Sequence, residues 1–342
     1  MSEVTLERIR RLPKAELHVH LDGSLRPTTL IELAREQGHT LPTDEPHALA
    51  EYMYVRDARD LTDYLERFQI TLAVMQTADA LERITYELGE DAAAENVRWL
   101  EVRYSPALNI EGGLTMEEVV DATLRGARRA EADFGIRIGL ILCGIRSMSS
   151  KVSRAVAEVA VAYRDRGVVA LDLAGAELDH PPVEHQLAFD LAAEANLPVT
   201  IHAGEAFGPA SIHQAVHRCH ARRIGHGTRL YEDPELEAYV NDFRIPLEVC
   251  PTSNVQTRAV ASYAEHPLRR YFDEGLVVTL NTDNRMMSGL TLSEEYLRCH
   301  QNLEFGWEEL KELALMGFQA AFLPWAEKVA LVEEMRTEMQ GL

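Results

Sequence analysis

Residues 17–23 read Leu17-His18-Val19-His20-Leu21-Asp22-Gly23. Successive side chains of a strand point to opposite faces, so His18 and His20 share one face while Leu17, Val19 and Leu21 share the other. Such a strand buries an apolar face and offers two imidazoles to one metal ion. A bare His-x-His is a short pattern and decides nothing alone. Its weight comes from the rest of the chain, where short apolar runs end in polar or ionisable residues and are followed by helical periodicity.

Eight such runs are expected as strands, at 16–22, 98–104, 137–144, 168–174, 198–203, 223–227, 246–251 and 277–282. Several are nearly continuous in apolar residues, as parallel strands covered on both sides require. Helical periodicity fills the gaps, for example at 116–134, 150–166 and 183–195. The alternation predicts an α/β fold, a (β/α)8 TIM barrel, rather than an open doubly wound sheet. No GxGxxG follows a strand, which argues against a dinucleotide fold. The stretch 26–96 is long enough to be a helical insertion walling the barrel mouth, with a helical pattern at 61–75. Residues 293–339 are expected to be extra helices outside the barrel. The reading is of one domain over residues 1–342, a length that α/β barrels commonly reach.

The 342 residues carry 55 acidic and 34 basic side chains, a formal net charge of −21. That field disfavours nucleic-acid backbones and anionic membranes as partners. It suits an enzyme for a neutral or cationic small molecule. Cys143, Cys219, Cys250 and Cys299 are scattered without a CxxC, so neither a disulfide framework nor a thiolate zinc site is expected. The first residues lack the basic and apolar regions of a signal peptide, and no run is long enough to span a bilayer, so a cytoplasmic location is expected. Oligomeric state cannot be read from the pattern.

In a barrel of this kind the C-terminal strand ends carry the active site. Those ends hold His18, His20 and Asp22; Arg103 to Pro106; Asp172 to Glu177; His202 to Glu205; Gly225 to Gly227; Cys250 to Asn254; and Asn281 to Asn284. Three histidines and an aspartate, His18, His20, His202 and Asp283, form a donor set suited to Zn²⁺. A water beside that ion would be acidified toward neutral pH. His226 is then a candidate base for its proton, and Glu205 a candidate acid for a leaving or ring atom.

The set HVHLDG, DLAGAE, HAGE, RIGHG, CPTSNVQT and LNTDN, spread from about residue 13 to 324, resembles the adenosine deaminase family of the amidohydrolase superfamily. The resemblance implies a hydrolase with one Zn²⁺ per chain that removes the 6-amino group of a purine nucleoside. It further implies His18, His20, His202 and Asp283 as metal ligands, and Glu205, His226 and Asp283 as catalytic residues. Glu205 would protonate purine N1, while His226 would orient and deprotonate the water. His20, Asp22, Gly175 and Asn284 would bind substrate, Asp22 at the ribose and Gly175 through its backbone. The best-known members carry a second aspartate where Asn284 stands; an amide can donate to N7 without needing a proton of its own. The implied reaction is deamination of adenosine and 2′-deoxyadenosine in purine salvage. A modified adenine nucleoside such as 6-aminodeoxyfutalosine, or adenine itself, stays open as substrate. A catalytically dead relative that binds nucleosides or a protein partner is a third reading, opposed by the complete set of site residues. His213, His217 and His220 have helical metal-like spacing but are expected on an outer helix, and His266 belongs to no evident constellation.

Overall fold

In the computed structural model, which describes residues 3–55 and 58–342 and all but the side chain of Thr62, the strands form two four-stranded parallel sheets. The first contains β1 (Lys14–His20), β2 (Val97–Tyr104), β3 (Arg137–Ile145) and β4 (Val168–Ala174), in that order. The second contains β5 (Thr200–Ala203), β6 (Arg223–His226), β7 (Leu247–Val249) and β8 (Val278–Leu280). Parallel bridges at Leu171–Val199 and Val19–Asp283 join β4 to β5 and the end of β8 to β1, which closes the ring as expected. The α/β barrel order is therefore sequential.

The helices follow from amphipathic spacing and caps. Met116–Phe134 starts at a capping box, in which Glu118 N donates to Thr115 Oγ1 (3.2 Å) and Thr115 N donates to Glu118 Oε2 (2.8 Å). Its buried Val120, Thr123, Leu124, Ala127 and Ala130 form one stripe against the barrel. Trp307–Ala320 packs on β8 and β1, so part of the C-terminal segment completes the outer layer rather than adding to it. The expected helix over 61–75 divides into Leu61–Leu65 and Phe68–Val74. Between them the backbone tightens to three-residue hydrogen bonds, Glu66 N to Asp63 O and Gln69 N to Glu66 O.

The interior of the barrel is not apolar throughout. Glu101, Arg103, Asp172, Arg223 and Glu248 are all buried and interlock, and buried Glu16 pairs with Arg285. Arg103 donates from Nη1 to Asp172 Oδ2 (3.0 Å) and from Nη2 to Glu248 Oε2 (2.7 Å) and Leu17 O (2.6 Å). Arg223 spans Glu248 and Glu101. Removing one member of such a set would strand a buried charge, at about 3–5 kcal/mol. All four cysteines are free and buried. Among the described residues no helix is long and apolar enough to cross a membrane.

Candidate active site

Two buried carboxylates in the strands fix two histidines at the barrel mouth. His18 Nδ1 lies 2.9 Å from Glu248 Oε2, and His202 Nδ1 lies 3.0 Å from Asp172 Oδ2. Each carboxylate holds the Nδ1–H, so each ring turns an Nε2 lone pair into the site. Gly225 on β6 leaves room for His18: a Cβ there would stand 3.1 Å from His18 Cε1 and 3.0 Å from the His202 backbone, tighter than ordinary contact.

The Nε2 atoms of His20 and His202 are 3.0 Å apart, and both His18 Nε2 and His20 Nε2 lie 3.3 Å from Asp283 Oδ1. Asp283 has a φ of +62°, which costs about 1–2 kcal/mol for a non-glycine residue. It is held there by the barrel closure, where His20 N donates to Asp283 O (2.7 Å) and Asp283 N donates to His18 O (3.0 Å). Ser253 Oγ donates to Asp283 Oδ2 (2.6 Å), leaving Oδ1 for the site.

Burial lowers His18 to a pKa of about 4, with the Arg103 charge adding to it, so its ring is neutral as a ligand must be. Its Nε2 is buried without a hydrogen-bond partner. Three imidazole nitrogens and a carboxylate oxygen, one nitrogen orphaned, fit a divalent metal better than any internal arrangement of protons. Among the described residues the ligand atoms of His18, His202, His226 and Asp283 all lie within 4.8 Å of one another, and His20 Nε2 stands beside them, 3.0 Å from His202 and 3.3 Å from Asp283. Thus five sequence-derived candidates converge, and His226 stands as near as a ligand.

Glu205 and His226 occupy the neighbouring strand ends. Glu205 is buried, its Oε1 accepts from Thr257 Oγ1 (2.9 Å), and Oε2 lies 3.5 Å from His226 Nε2. Burial pushes the Glu205 carboxyl above its ordinary range. The turn that carries Glu205 is held by Glu177, which accepts from the backbone N–H groups of Gly204, Glu205, Ala206 and Phe207 at 2.7–2.9 Å. Sequence reading passed over this role of Glu177, and those of Asp172 and Glu248. The available signal was a carboxylate flanked by leucine and valine in strands that must be buried, Leu171-Asp172-Leu173 and Leu247-Glu248-Val249.

A cavity of about 210 Å³ opens above these groups. His20, Asp22, His202, Glu205, His226, Asp283 and Asn284 line its polar side, and Gly175 lies in its wall. The opposite wall is Leu61, Tyr64, Leu65, Phe68 and Leu72, from the insertion after β1. Asp22 Oδ1 and Asn284 Oδ1 are buried without partners. Burial raises Asp22 to a pKa of about 7. Asn284 packs on Gly23, where a Cβ would fall 1.8 Å from Asn284 Oδ1. The histidines away from the mouth do not gather. The His213 and His217 rings meet at a tilt of 49° with centroids 4.4 Å apart, while His220 pairs with Asp190 (2.9 Å).

A closed parallel barrel with a His/Asp ligand set and a buried carboxyl at its mouth defines a metal-dependent hydrolase of the amidohydrolase kind. Comparison with known proteins sharpens the class. The adenosine deaminase family profile matches residues 13–338. An adenosine deaminase from Mycobacterium sp. (strain JLS) is 45% identical, over 97% of this chain and 96% of its own. An adenine deaminase from Arthrobacter aurescens superposes with a TM-score of 0.89 at 31% identity, covering 96% of this chain and 99% of that one. A zinc-bound amidohydrolase from Burkhoderia ambifaria gives 0.89 at 28% identity, over 99% and 94%. The chain belongs to the adenosine deaminase family, and it is a hydrolase acting on C–N bonds.

Proposed function

We propose that this enzyme hydrolyses the 6-amino group of adenosine and 2′-deoxyadenosine, giving the 6-oxopurine nucleoside and ammonia. The observation that carries the reading is one cavity holding a buried Glu205, its carboxyl pushed by burial above the ordinary range, beside the His/Asp cluster, under an apolar wall suited to a flat ring. The ligand set suits one Zn²⁺ held by His18, His20, His202 and Asp283, which would supply the acidity that prepares a water for attack near neutral pH.

The remaining steps belong to the chain's own groups. Glu205 gives its proton to N1 as the water oxygen bonds to C6, so ring charge does not build up. His226 and Asp283 flank the water; one of its protons passes to the 6-amino group and the other restores the Glu205 carboxyl as C6=O forms. The C6–N6 bond then breaks and ammonia leaves. Asn284 addresses N7, Gly175 the ring edge through its backbone, and Asp22 a ribose hydroxyl. No lysine or arginine is among the described residues lining the cavity, and Asp22 lies at its polar side. A 5′-phosphate would therefore be buried unpaired beside a carboxylate, so nucleotides are poor substrates. We read the chain as a single catalytic domain, since the insertion and the strand ends line one cavity. Four free thiols agree with a cytoplasmic setting.

Ultraviolet-monitored deamination by the zinc-loaded protein tests this over adenosine, 2′-deoxyadenosine, adenine, 6-aminodeoxyfutalosine and 5′-AMP. The two simple nucleosides should exceed 5′-AMP by at least about 100-fold in kcat/KM, the discrimination available when a buried charge is left unpaired. Turnover confined to adenine or to the modified nucleoside would change the substrate, and no turnover at all would refute the reading.

A further inference from the structure

Behind His226 runs a chain of hydrogen bonds that ends at a backbone group. Leu268 N, at the start of the helix Leu268–Asp273, donates to His266 Nδ1 (3.1 Å). A backbone N–H can only donate, so His266 Nδ1 carries a lone pair. His266 is buried, and burial lowers it to a pKa of about 3, so the ring is neutral. Its one proton is on Nε2, which lies 3.2 Å from Asn254 Oδ1. Thr228 Oγ1 donates to the same oxygen (3.0 Å). Two donors meeting on one atom fix it as the amide oxygen. The amide nitrogen of Asn254 therefore faces His226 Nδ1, at 3.0 Å, and donates to it.

We infer that Asn254 and His266 are positioning residues that lock His226 in the tautomer with its proton on Nε2, so that His226 presents a hydrogen-bond donor to the reacting oxygen. The inference rests on the proposed roles of Glu205, His226 and Asp283 and divides labour between the last two. A ring already protonated at Nε2 cannot take a second proton there. Protonation at Nδ1 would set N–H against the N–H of Asn254. The water's proton goes to Asp283 instead, whose Oδ2 is tied to Ser253 and whose Oδ1 faces the site. His226 orients the attacking oxygen and stabilises charge on it as the C6–O bond forms. Atoms balance: the oxygen bonds to C6, one water proton moves to Asp283 and on to N6, N1 receives the Glu205 proton, and the remaining hydroxyl proton leaves as C6=O forms and ammonia departs, restoring the Glu205 carboxyl.

Imidazole ¹⁵N NMR of the zinc-loaded protein, with His226 assigned by loss of its signals in His226→Asn, reads the tautomer directly. A protonated Nε2 and bare Nδ1 are expected; a proton on Nδ1 would overturn the inference. Asn254→Leu removes the donor, and kcat should fall about 100- to 1,000-fold, the range for losing one donor to a reacting oxygen. KM and zinc content should stay within about two-fold, as a change confined to the chemical step requires. His266→Gln can still accept from Leu268 N and donate to Asn254, so it should hold kcat within about three-fold where His266→Leu does not. Parent-like turnover by a folded Asn254→Leu would also overturn it, and if that variant does not fold, the parent spectrum decides. Failure of the parent on every purine would defeat the proposed function and leave the spectrum to judge the tautomer.

Discussion

At the scale of single residues, Glu205 is the group on which the chemistry turns. Burial favours its neutral form, and the Thr257 hydroxyl occupies one oxygen, which leaves the other to carry the proton. Glu205→Gln keeps the shape and the ligand set but cannot supply that proton. It should bind zinc as the parent does, by elemental analysis, and lose at least about 100-fold in kcat, as loss of a general acid does. Normal turnover would remove Glu205 from the acid role. Asp22 makes a second, independent prediction, because its buried Oδ1 lacks a partner. Asp22→Asn should raise KM for adenosine by about ten-fold, the loss of one buried hydrogen bond, while barely altering any slow reaction with adenine. An equal effect on both substrates would place Asp22 away from the sugar. The residues at the mouth were legible because each sits where an apolar run meets a polar tip. Glu248 was not. Its partner His18 is 230 positions away, and nothing local tells which face of a three-residue strand looks inward.

At the scale of elements, the strand ends do more than present side chains. The turn after β5 aims four N–H groups at Glu177, a carboxylate on the turn after β4. Glutamine can accept at one oxygen only, and its NH₂ would oppose N–H donors. Glu177→Gln should therefore cost about 3 kcal/mol in urea unfolding, two or so buried donors left unpaired, and lower kcat by misplacing Glu205. Stability and rate both equal to the parent would show that the turn does not need its anchor. The wall from the insertion was expected as one helix and is two. The apolar spacing Leu61, Leu65, Phe68, Leu72 survives the break, since the cavity constrains which side chains face it more than how the backbone connects them. Periodicity reports the face, and the tightening at Glu66 leaves the face intact.

At the scale of the whole molecule, the barrel was legible from eight alternations, whereas its polar filling was not. A closed ring brings Arg103, Asp172, Arg223 and Glu248 within reach of one another, a relation that only closure creates. Charges buried in this way couple stability to pH, and Glu295 gives the clearest case. It is fully buried, accepts from Thr252 N (2.7 Å) and the Thr252 hydroxyl, and burial raises it to a pKa of about 7. Between about 4.5 and 7 the folded chain holds a proton that the unfolded chain has lost. The Glu295 contribution is therefore full at acidic pH and falls as pH rises through 7. Glu295→Gln is neutral throughout, so relative to the parent it should gain up to about 3 kcal/mol between pH 4.5 and 8, measured by urea midpoints. A difference independent of pH would mean that Glu295 is ionised in the folded protein.

The central claim is that C6 of a purine nucleoside sits between Glu205 on one side and the His226–Asp283 pair on the other. The most direct measurement is a crystal structure of the zinc-loaded protein with a nucleoside analogue whose C6 is replaced by a tetrahedral, hydroxyl-bearing carbon. The hydroxyl should lie within hydrogen-bond reach of His226 Nε2 and Asp283 Oδ1, with the ring N–H on Glu205, N7 on Asn284 and a ribose hydroxyl on Asp22. An analogue seated with its hydroxyl away from that pair, or with Glu205 facing no ring nitrogen, would contradict the account.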